Sequence, residues 1–453
     1  MWRRKISQGA GAVLLAGGLL TTGGGVAGGT VGSLPMPVPQ YRVASQTAFT
    51  KPPTTFFCEK TEAIACYSPE QFETAYNLGP LYKKGLTGKG ETIVIVDPFG
   101  YPGIRSELTV LDQAFKLPAP PSFRVIAPAG KIPPYNKNRS GFALETSLDV
   151  EYAHSMAPEA NILLVETPVA EGLGTSGFPA IVKAENYVVS HHLGTVISQS
   201  FATAEQTFPS KHSLLSLRSA YKAAAAARIS VVSATGDQGP SGFQTETSFF
   251  LHRVASWPAT DPLVTAVGGT QLYLNGQGQH IQPDTVWNTT NLQGEPSAGG
   301  SGQSTVFIRP AYQSGVAHQT GPTRGIPDIS MSASVDGSAI VYLAANVGFN
   351  GAGYYLIGGT SLATPLFAGV VAMADQVAGH ALGLINPAIY QMVAARDPGL
   401  VDVTSGTNTV TGSHDGHAVT IRGFPARPGY DLVTGAGTVN AADFVPELAR
   451  LAG

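Results

Sequence analysis

Ser361 stands directly after two glycines and Thr360 in IGGTSLATPLFAGVVAMADQVAG, ahead of a small-residue, apolar run with helical patterning that continues to about Ala378. Glycines let the backbone turn sharply and a substrate approach, and a serine at a helix start has N–H groups nearby that stabilise an oxyanion. This is a setting for a nucleophile; its plain alternative is an N-cap on a buried helix. A nucleophilic serine needs a base. The histidines are scattered: His191 and His192 precede a strand on a polar stretch, and His154 sits in AHSMAP, outside any glycine-rich setting. Carboxylates offer another solution. In GFALETSLDVEYAHSMAP, Glu145 and Asp149 are four apart on a predicted helix, so their side chains share a face, and close approach disfavours ionising both. Such a pair is more often a solvated helix face, but Phe142, Leu144 and Leu148 around it predict burial. A third carboxyl, Asp237, follows an apolar strand that starts at Ile229 and ends in VVSATGDQG. The C-terminal ends of strands in α/β sheets collect functional groups, although an Asp between glycines is also ordinary turn chemistry.

The elements that must hold these groups alternate between strand and helix. Continuous apolar strands are predicted at Thr92–Val96, Ile162–Val165, Thr195–Ser198, Ile229–Val232 and Leu263–Val267. Helical stretches such as Leu217–Ala227, and the SPEQFETAYNL segment capped by Ser68, lie among and before them. That alternation predicts an α/β fold with a mostly parallel sheet covered by helices on both faces. Residues from about Leu34 to Pro53 are rich in Pro, Ser, Thr and Gln and read as a linker, and the polar, Gly-rich stretch Trp287–Ser304 reads as a surface loop that could border a substrate groove.

Arg3, Arg4 and Lys5 precede a short apolar run, Ala10–Leu20, followed by small residues, the order of a secretory signal. The run is too short to span a bilayer and no later stretch reads as a span, so stable membrane insertion is not expected. In an exported protein the neighbouring Cys58 and Cys66 read as a local disulfide; a metal site is the weaker alternative, with no His or further Cys nearby. A net charge of −3 with 13% charged residues leaves no basic field of the kind that attracts nucleic acid.

Taken together, Glu145-x-x-x-Asp149, Gly236-Asp237-Gln238-Gly239 and Gly359-Thr360-Ser361-Leu362-Ala363-Thr364-Pro365 resemble the sedolisin family of serine-carboxyl peptidases. AHSMAPEANILLVE, WPATDPLVTAVGGT and RGIPDISMSA around Asp328 extend the similarity from about Ser68 to the C-terminus. The resemblance implies a subtilisin-like fold for a peptidase domain at 68–453; the residues before it read as a signal at 1–30 and a linker-like segment with a local disulfide at 31–67. It also implies a secreted enzyme acting on peptides or unfolded proteins, with Glu145 as general base toward Ser361, Asp149 orienting Glu145, and a protonated Asp237 serving the oxyanion. Unperturbed carboxyls titrate near pH 4, so such a set is best populated in acid. By the same resemblance, VDVTSG and RPGYDLVTGAG hold one structural calcium ion, with carboxylates from Asp402 and Asp431 and carbonyls from Val403, Arg427 and Gly429. The family commonly has glycine where Arg427 stands, and on spacing alone the two segments are equally Asp-containing turns. Family members also carry a large folded prosegment. Only a linker-like stretch stands in that place here, so the expectation is a chain made without that control or dependent on other factors to fold.

Two other readings make different predictions. A subtilisin-like Asp-His-Ser triad with Asp97 as its acid predicts a neutral to alkaline optimum and a histidine near Ser361; the helix that should bear that histidine has Glu145 instead. A catalytically inactive, sedolisin-like peptide-binding protein predicts tight binding without cleavage.

Overall fold

The computed structural model describes residues 41–245, 247–414 and 417–453. The signal-like segment 1–30 and residues 31–40 of the next segment lie outside the described residues. In chain order the elements that matter begin with β1 (Arg42–Phe49), α1 (Thr55–Thr61), β2 (Cys66–Tyr67), α2 (Pro69–Ala75), β3 (Thr92–Pro98) and α3 (Ile104–Phe115). Next come β4 (Phe123–Ile126), α4 (Ser140–Met156), β5 (Asn161–Thr167), α5 (Phe178–Ser190), β6 (Val196–Gln199), α6 (Ser219–Ala226) and β7 (Ser230–Ala234). The last third supplies β8 (Thr265–Gln271), β9 (Thr285–Val286), β10 (Ile329–Ser332), β11 (Ser338–Leu343), β12 (Gly353–Gly358), α7 (Thr360–Ala378) and α8 (Ala441–Ala452).

β3 shows why the central sheet forms. Its residues Ile93 to Val96 are β-branched and fully buried, as a strand covered on both faces requires. Ile93 and Ile95 pack with Leu144 and Leu148 of α4 and Leu362 and Phe367 of α7. Val94 and Val96 turn to the other face, against Ile181 and Val188 of α5 and Tyr221 of α6. Around this strand the order is β4-β5-β3-β6-β7-β8, all parallel, with β10 parallel to β8 and β9 antiparallel at the end. The fold is thus the subtilisin-like α/β arrangement expected, and all five predicted strands form, with ends moved by a few residues. Ser68 caps α2 reciprocally with Gln71.

α4 and α7 lie side by side on one face of this sheet. Gly369 makes the close approach possible: a Cβ there would fall 2.5 Å from Met156 Cβ. Among the described residues α7 alone is long and apolar enough to cross a membrane, and it is buried inside the fold as a core helix.

Two expectations are corrected. The linker read at Leu34–Pro53 becomes, from Arg42 onward, the outer strand of a second sheet ordered β1-β12-β11-β2. Its polar composition hid this because the strand is held by backbone pairing to β12, about 300 residues away, which local composition cannot register. Residues 42–67 therefore belong to the same compact unit as the domain placed at 68–453. Within them a Cys58–Cys66 disulfide joins α1 to β2. The stretch Trp287–Ser304 is not simply a surface loop. Trp287, Ser297 and Ala298 are fully buried, and the Ala298 and Gly300 N–H groups donate to the Asp237 and Gly236 carbonyls at 3.1 and 2.7 Å. Its glycines serve close backbone approach: a Cβ on Gly300 would meet the Thr235 carbonyl at 2.1 Å.

Candidate active site

The nucleophile candidate is placed by a sharp strand-to-helix turn. β12 ends at Gly358, and Gly359 adopts φ 119°, where a side chain would be strained, so that α7 starts at Thr360 with Ser361 in its first turn. Ser361 is fully buried, beside N–H groups that the helix leaves without intrahelical partners. Its hydroxyl donates to the carbonyl of Ser200, the residue just after β6, at 3.4 Å.

Glu145 and Asp149 come from one face of α4, and both are buried. Burial first, then the Asp149 charge, push the Glu145 carboxyl well above the usual range; Asp97 and Asp237 add to the rise, and the Ser361 hydroxyl opposes it. Asp149 is raised likewise by burial and by Asp97, with the Ser200 side chain opposing. Two such carboxyls cannot readily ionise together, so the pair retains a proton while one member can accept another.

Asp237 approaches from the loop after β7. Its Oδ1 accepts from both the N–H and the hydroxyl of Thr360, each at 2.8 Å. The Thr360 hydroxyl oxygen in turn accepts from the Gly236 N–H at 3.2 Å. Asp237 Oδ2 is buried with no hydrogen-bond partner among the described residues. Burial pushes this carboxyl up to about 6, against the pull of the Arg42 charge and the Thr360 donors. With Oδ1 committed as a double acceptor, Oδ2 is the oxygen that carries a proton and can donate it.

The four residues singled out in the sequence thus converge on one site. Thr360 and Ser200 also take part: Thr360 lies inside the Gly359–Pro365 motif but had no role assigned, and Ser200 lies outside every motif. Asp97 is buried at the end of β3, in register with Glu166 of β5. Burial, with Glu166 adding and the Thr146 hydroxyl opposing, raises it to about 7. It belongs to the carboxyl network rather than to a triad, because His154 on α4 is turned to the Pro118 carbonyl at 2.8 Å and to Asp112 at 3.3 Å.

At the C-terminal turn Asp402 and Asp431 each accept from main-chain N–H groups of the 427–434 segment. Asp402 Oδ2 accepts from the Gly429 N–H at 2.7 Å. Asp431 Oδ2 accepts from the Arg427 N–H at 2.8 Å, and its Oδ1 takes the Val433 and Thr434 N–H groups. Burial raises the Asp431 carboxyl despite these donors, so a cation here would relieve a real desolvation cost. Among the described residues no three His, Cys, Asp or Glu side chains form a metal cluster. An ion at this turn would therefore draw its remaining ligands from carbonyls, which suits a hard cation.

Comparison with known proteins agrees with this geometry. A model described as the subtilase family matches residues 132–393. Kumamolisin of Bacillus sp. (strain MN-32) is 28% identical over 397 residues, covering 84% of this chain and 63% of that protein. Sedolisin of Pseudomonas sp. (strain 101) is 30% identical over 273 residues, covering 59% and 43%. Human tripeptidyl-peptidase 1 is 27% identical over 317 residues, covering 67% and 51%. The chain thus spans less than two thirds of the length of these relatives. Among solved structures, Pseudomonas sedolisin, a serine-carboxyl proteinase complexed with two molecules of pseudo-iodotyrostatin, superposes with a TM-score of 0.69 at 27% identity, covering 84% of this chain and 97% of that one.

Proposed function

The chain belongs to the subtilase family and, within it, to the sedolisin group of serine-carboxyl peptidases, and from that premise we propose that it hydrolyses peptide bonds in acid through an acyl-enzyme on Ser361. The observation that carries this reading is the meeting of three carboxyls at one buried serine. The Ser361 hydroxyl lies near enough to moderate the rise of the Glu145 carboxyl, Asp149 sits one helical turn from Glu145, and Asp237 stands across the helix start with its Oδ2 uncommitted.

Each step follows from these positions. Ser361 Oγ attacks the substrate carbonyl carbon as its proton passes to Glu145, and the developing oxyanion takes a hydrogen bond from protonated Asp237 Oδ2. Glu145 then returns the proton to the amine as the C–N bond breaks, leaving the acyl-enzyme. Water attacks the ester, gives its proton to Glu145, and Ser361 Oγ recovers a proton as it leaves. Asp149, one helical turn from Glu145, acts on it through charge and keeps the pair from losing both protons. An Asp237 carboxyl raised to about 6 is protonated in acid, which supports an acidic optimum.

Substrates are peptides or unfolded proteins in this reading. The protein is secreted, as the order of charge, apolar run and small residues at the N-terminus and the Cys58–Cys66 disulfide suggest. One calcium ion is held by Asp402 and Asp431 with carbonyls of Val403, Arg427 and Gly429, and its work there is to brace the turn. The test is cleavage of an unfolded protein between pH 2 and 9 by the wild type, Ser361→Ala and Glu145→Gln. Cleavage confined to acid and lost in both variants is expected. A peak above pH 7 that survives Glu145→Gln would refute the carboxyl base, and tight peptide binding without cleavage at any pH would favour a non-catalytic binder.

A further inference from the structure

The edge of β12 nearest Ser361 is occupied by a strand of the same chain. In β1, Arg42 lies opposite Gly358, Val43 opposite Ile357, Ser45 opposite Leu356 and Phe49 opposite Tyr354. Because Gly358 is close to Ser361 and Tyr354 is further away, β1 recedes from the nucleophile as its sequence proceeds. A peptide crossing the site in this direction places here the residues that follow its reacting carbonyl, which are those of the leaving group.

Two side chains of this segment occupy defined places. Tyr41 packs against the main core, and its phenol feels the charge of Glu145, the group that must protonate a leaving amine. Arg42 is buried. Its Nη2 donates to the Pro296 carbonyl at 3.0 Å and to the Asp237 carbonyl at 3.3 Å, and its Nη1 lies 3.6 Å from the Glu295 carboxylate. Two carbonyls and a carboxylate arranged around one guanidinium form a cup that suits a planar cation and leaves an acidic side chain facing only acceptors.

We propose that the β12 edge is where the leaving-group half of a substrate docks, adding as an antiparallel strand, and that the Asp237 and Pro296 carbonyls with Glu295 select a basic side chain at its second position. β1 is the chain's own occupant of this place, with Tyr41 in the first position and Arg42 in the second. Main-chain pairing supplies sequence-tolerant affinity in such strand addition, and the side-chain cups supply selectivity. A substrate must displace β1 to bind. The assignment rests on Ser361 being the peptidase nucleophile.

Internally quenched peptides test it. They share a Tyr directly after the cleaved bond and differ only in the next residue, Arg, Gln or Glu, and are given to the full chain at pH 5. The kcat/KM for the Arg peptide is expected to exceed that for the Glu peptide by tenfold or more, and this ratio is expected to fall to threefold or less in Glu295→Gln. Equal values for the Arg and Glu peptides in the wild type overturn the assignment. Because β1 competes for the groove, fluorescent copies of residues 41–49, with Arg or Glu at the second position, are also titrated against Ser361→Ala carrying Arg42→Gln. Binding of the Arg copy at least tenfold tighter supports the cup; indistinguishable binding, or none, overturns it. If the wild type cleaves no peptide from pH 2 to 9, the peptidase reading fails and the titration alone decides the docking site.

Discussion

The two oxygens of Asp237 are chemically unequal, and a single substitution separates their roles. Oδ1 is committed to accepting from Thr360, while Oδ2 has no protein partner among the described residues. Asparagine preserves an acceptor on one side and an N–H donor on the other but cannot titrate. On the proposed mechanism, a carboxyl raised to about 6 gives kcat/KM an alkaline limb, and in Asp237→Asn that limb is expected to move up by a unit or more. The rate at pH 4 should fall by roughly tenfold or more, because an amide is a weaker donor than a carboxylic acid. A limb that stays in place would remove Asp237 from the oxyanion. Ser361, Glu145, Asp149 and Asp237 were all legible in the sequence because each sits inside a short local pattern of glycines, strand end or helix spacing. Arg42 was not, since its partners Asp237 and Pro296 are 195 and 254 residues away. Thr360 was visible only as a neighbour of the serine, although its hydroxyl and N–H are what orient Asp237.

The packing of α4 on α7 sets the distance between Glu145 and Ser361, the proposed base and nucleophile, and Gly369 sets that packing. A Cβ there already meets Met156 Cβ at 2.5 Å and the Ala153 carbonyl at 3.4 Å. Gly369→Val must therefore push the helices apart, at a cost of about 1–3 kcal/mol typical of overpacking. The expected outcome is a native far-UV circular dichroism spectrum, a lower Tm and a kcat reduced by at least about tenfold, since small misplacements of reacting groups are costly. Unchanged kcat would mean that the helices are not what fixes the Glu145–Ser361 separation. The disulfide acts on a neighbouring element pair. It closes a short loop between α1 and β2, so Cys58→Ser with Cys66→Ser is expected to lower unfolding free energy by about 2–3 kcal/mol in urea titrations. At this scale the parallel strands could be read from their apolar runs because both faces are buried. β1 is half exposed and polar, and the Trp287–Ser304 stretch is buried through backbone contacts of its glycines, so neither gave a hydrophobic signal.

Across the molecule many carboxyls are buried with raised values: Asp237 at about 6, Asp97 at about 7, and Glu171 and Asp375 at about 8, besides Glu151 and Glu185. In the unfolded chain such groups titrate near 4. Between about pH 4 and 8 the folded state therefore binds more protons than the unfolded one, and stability falls as pH rises through that window. Calorimetry should show Tm highest near pH 4 and declining toward pH 8; a Tm that climbs toward neutrality would contradict the burial of these acids. If calcium braces the Asp402 and Arg427–Asp431 segments, a chelator at constant pH should lower Tm further, and added calcium should restore it. Finally, β1 is the end strand of its sheet, next to β12, whose sequence GYYLIG is buried along its whole length. A recombinant chain begun at Ser68, where composition alone would place the boundary, would leave that apolar edge unpaired. Exposed edges of this kind recruit other copies, so such a truncation should be recovered as insoluble aggregate while a chain begun before Tyr41 stays in solution.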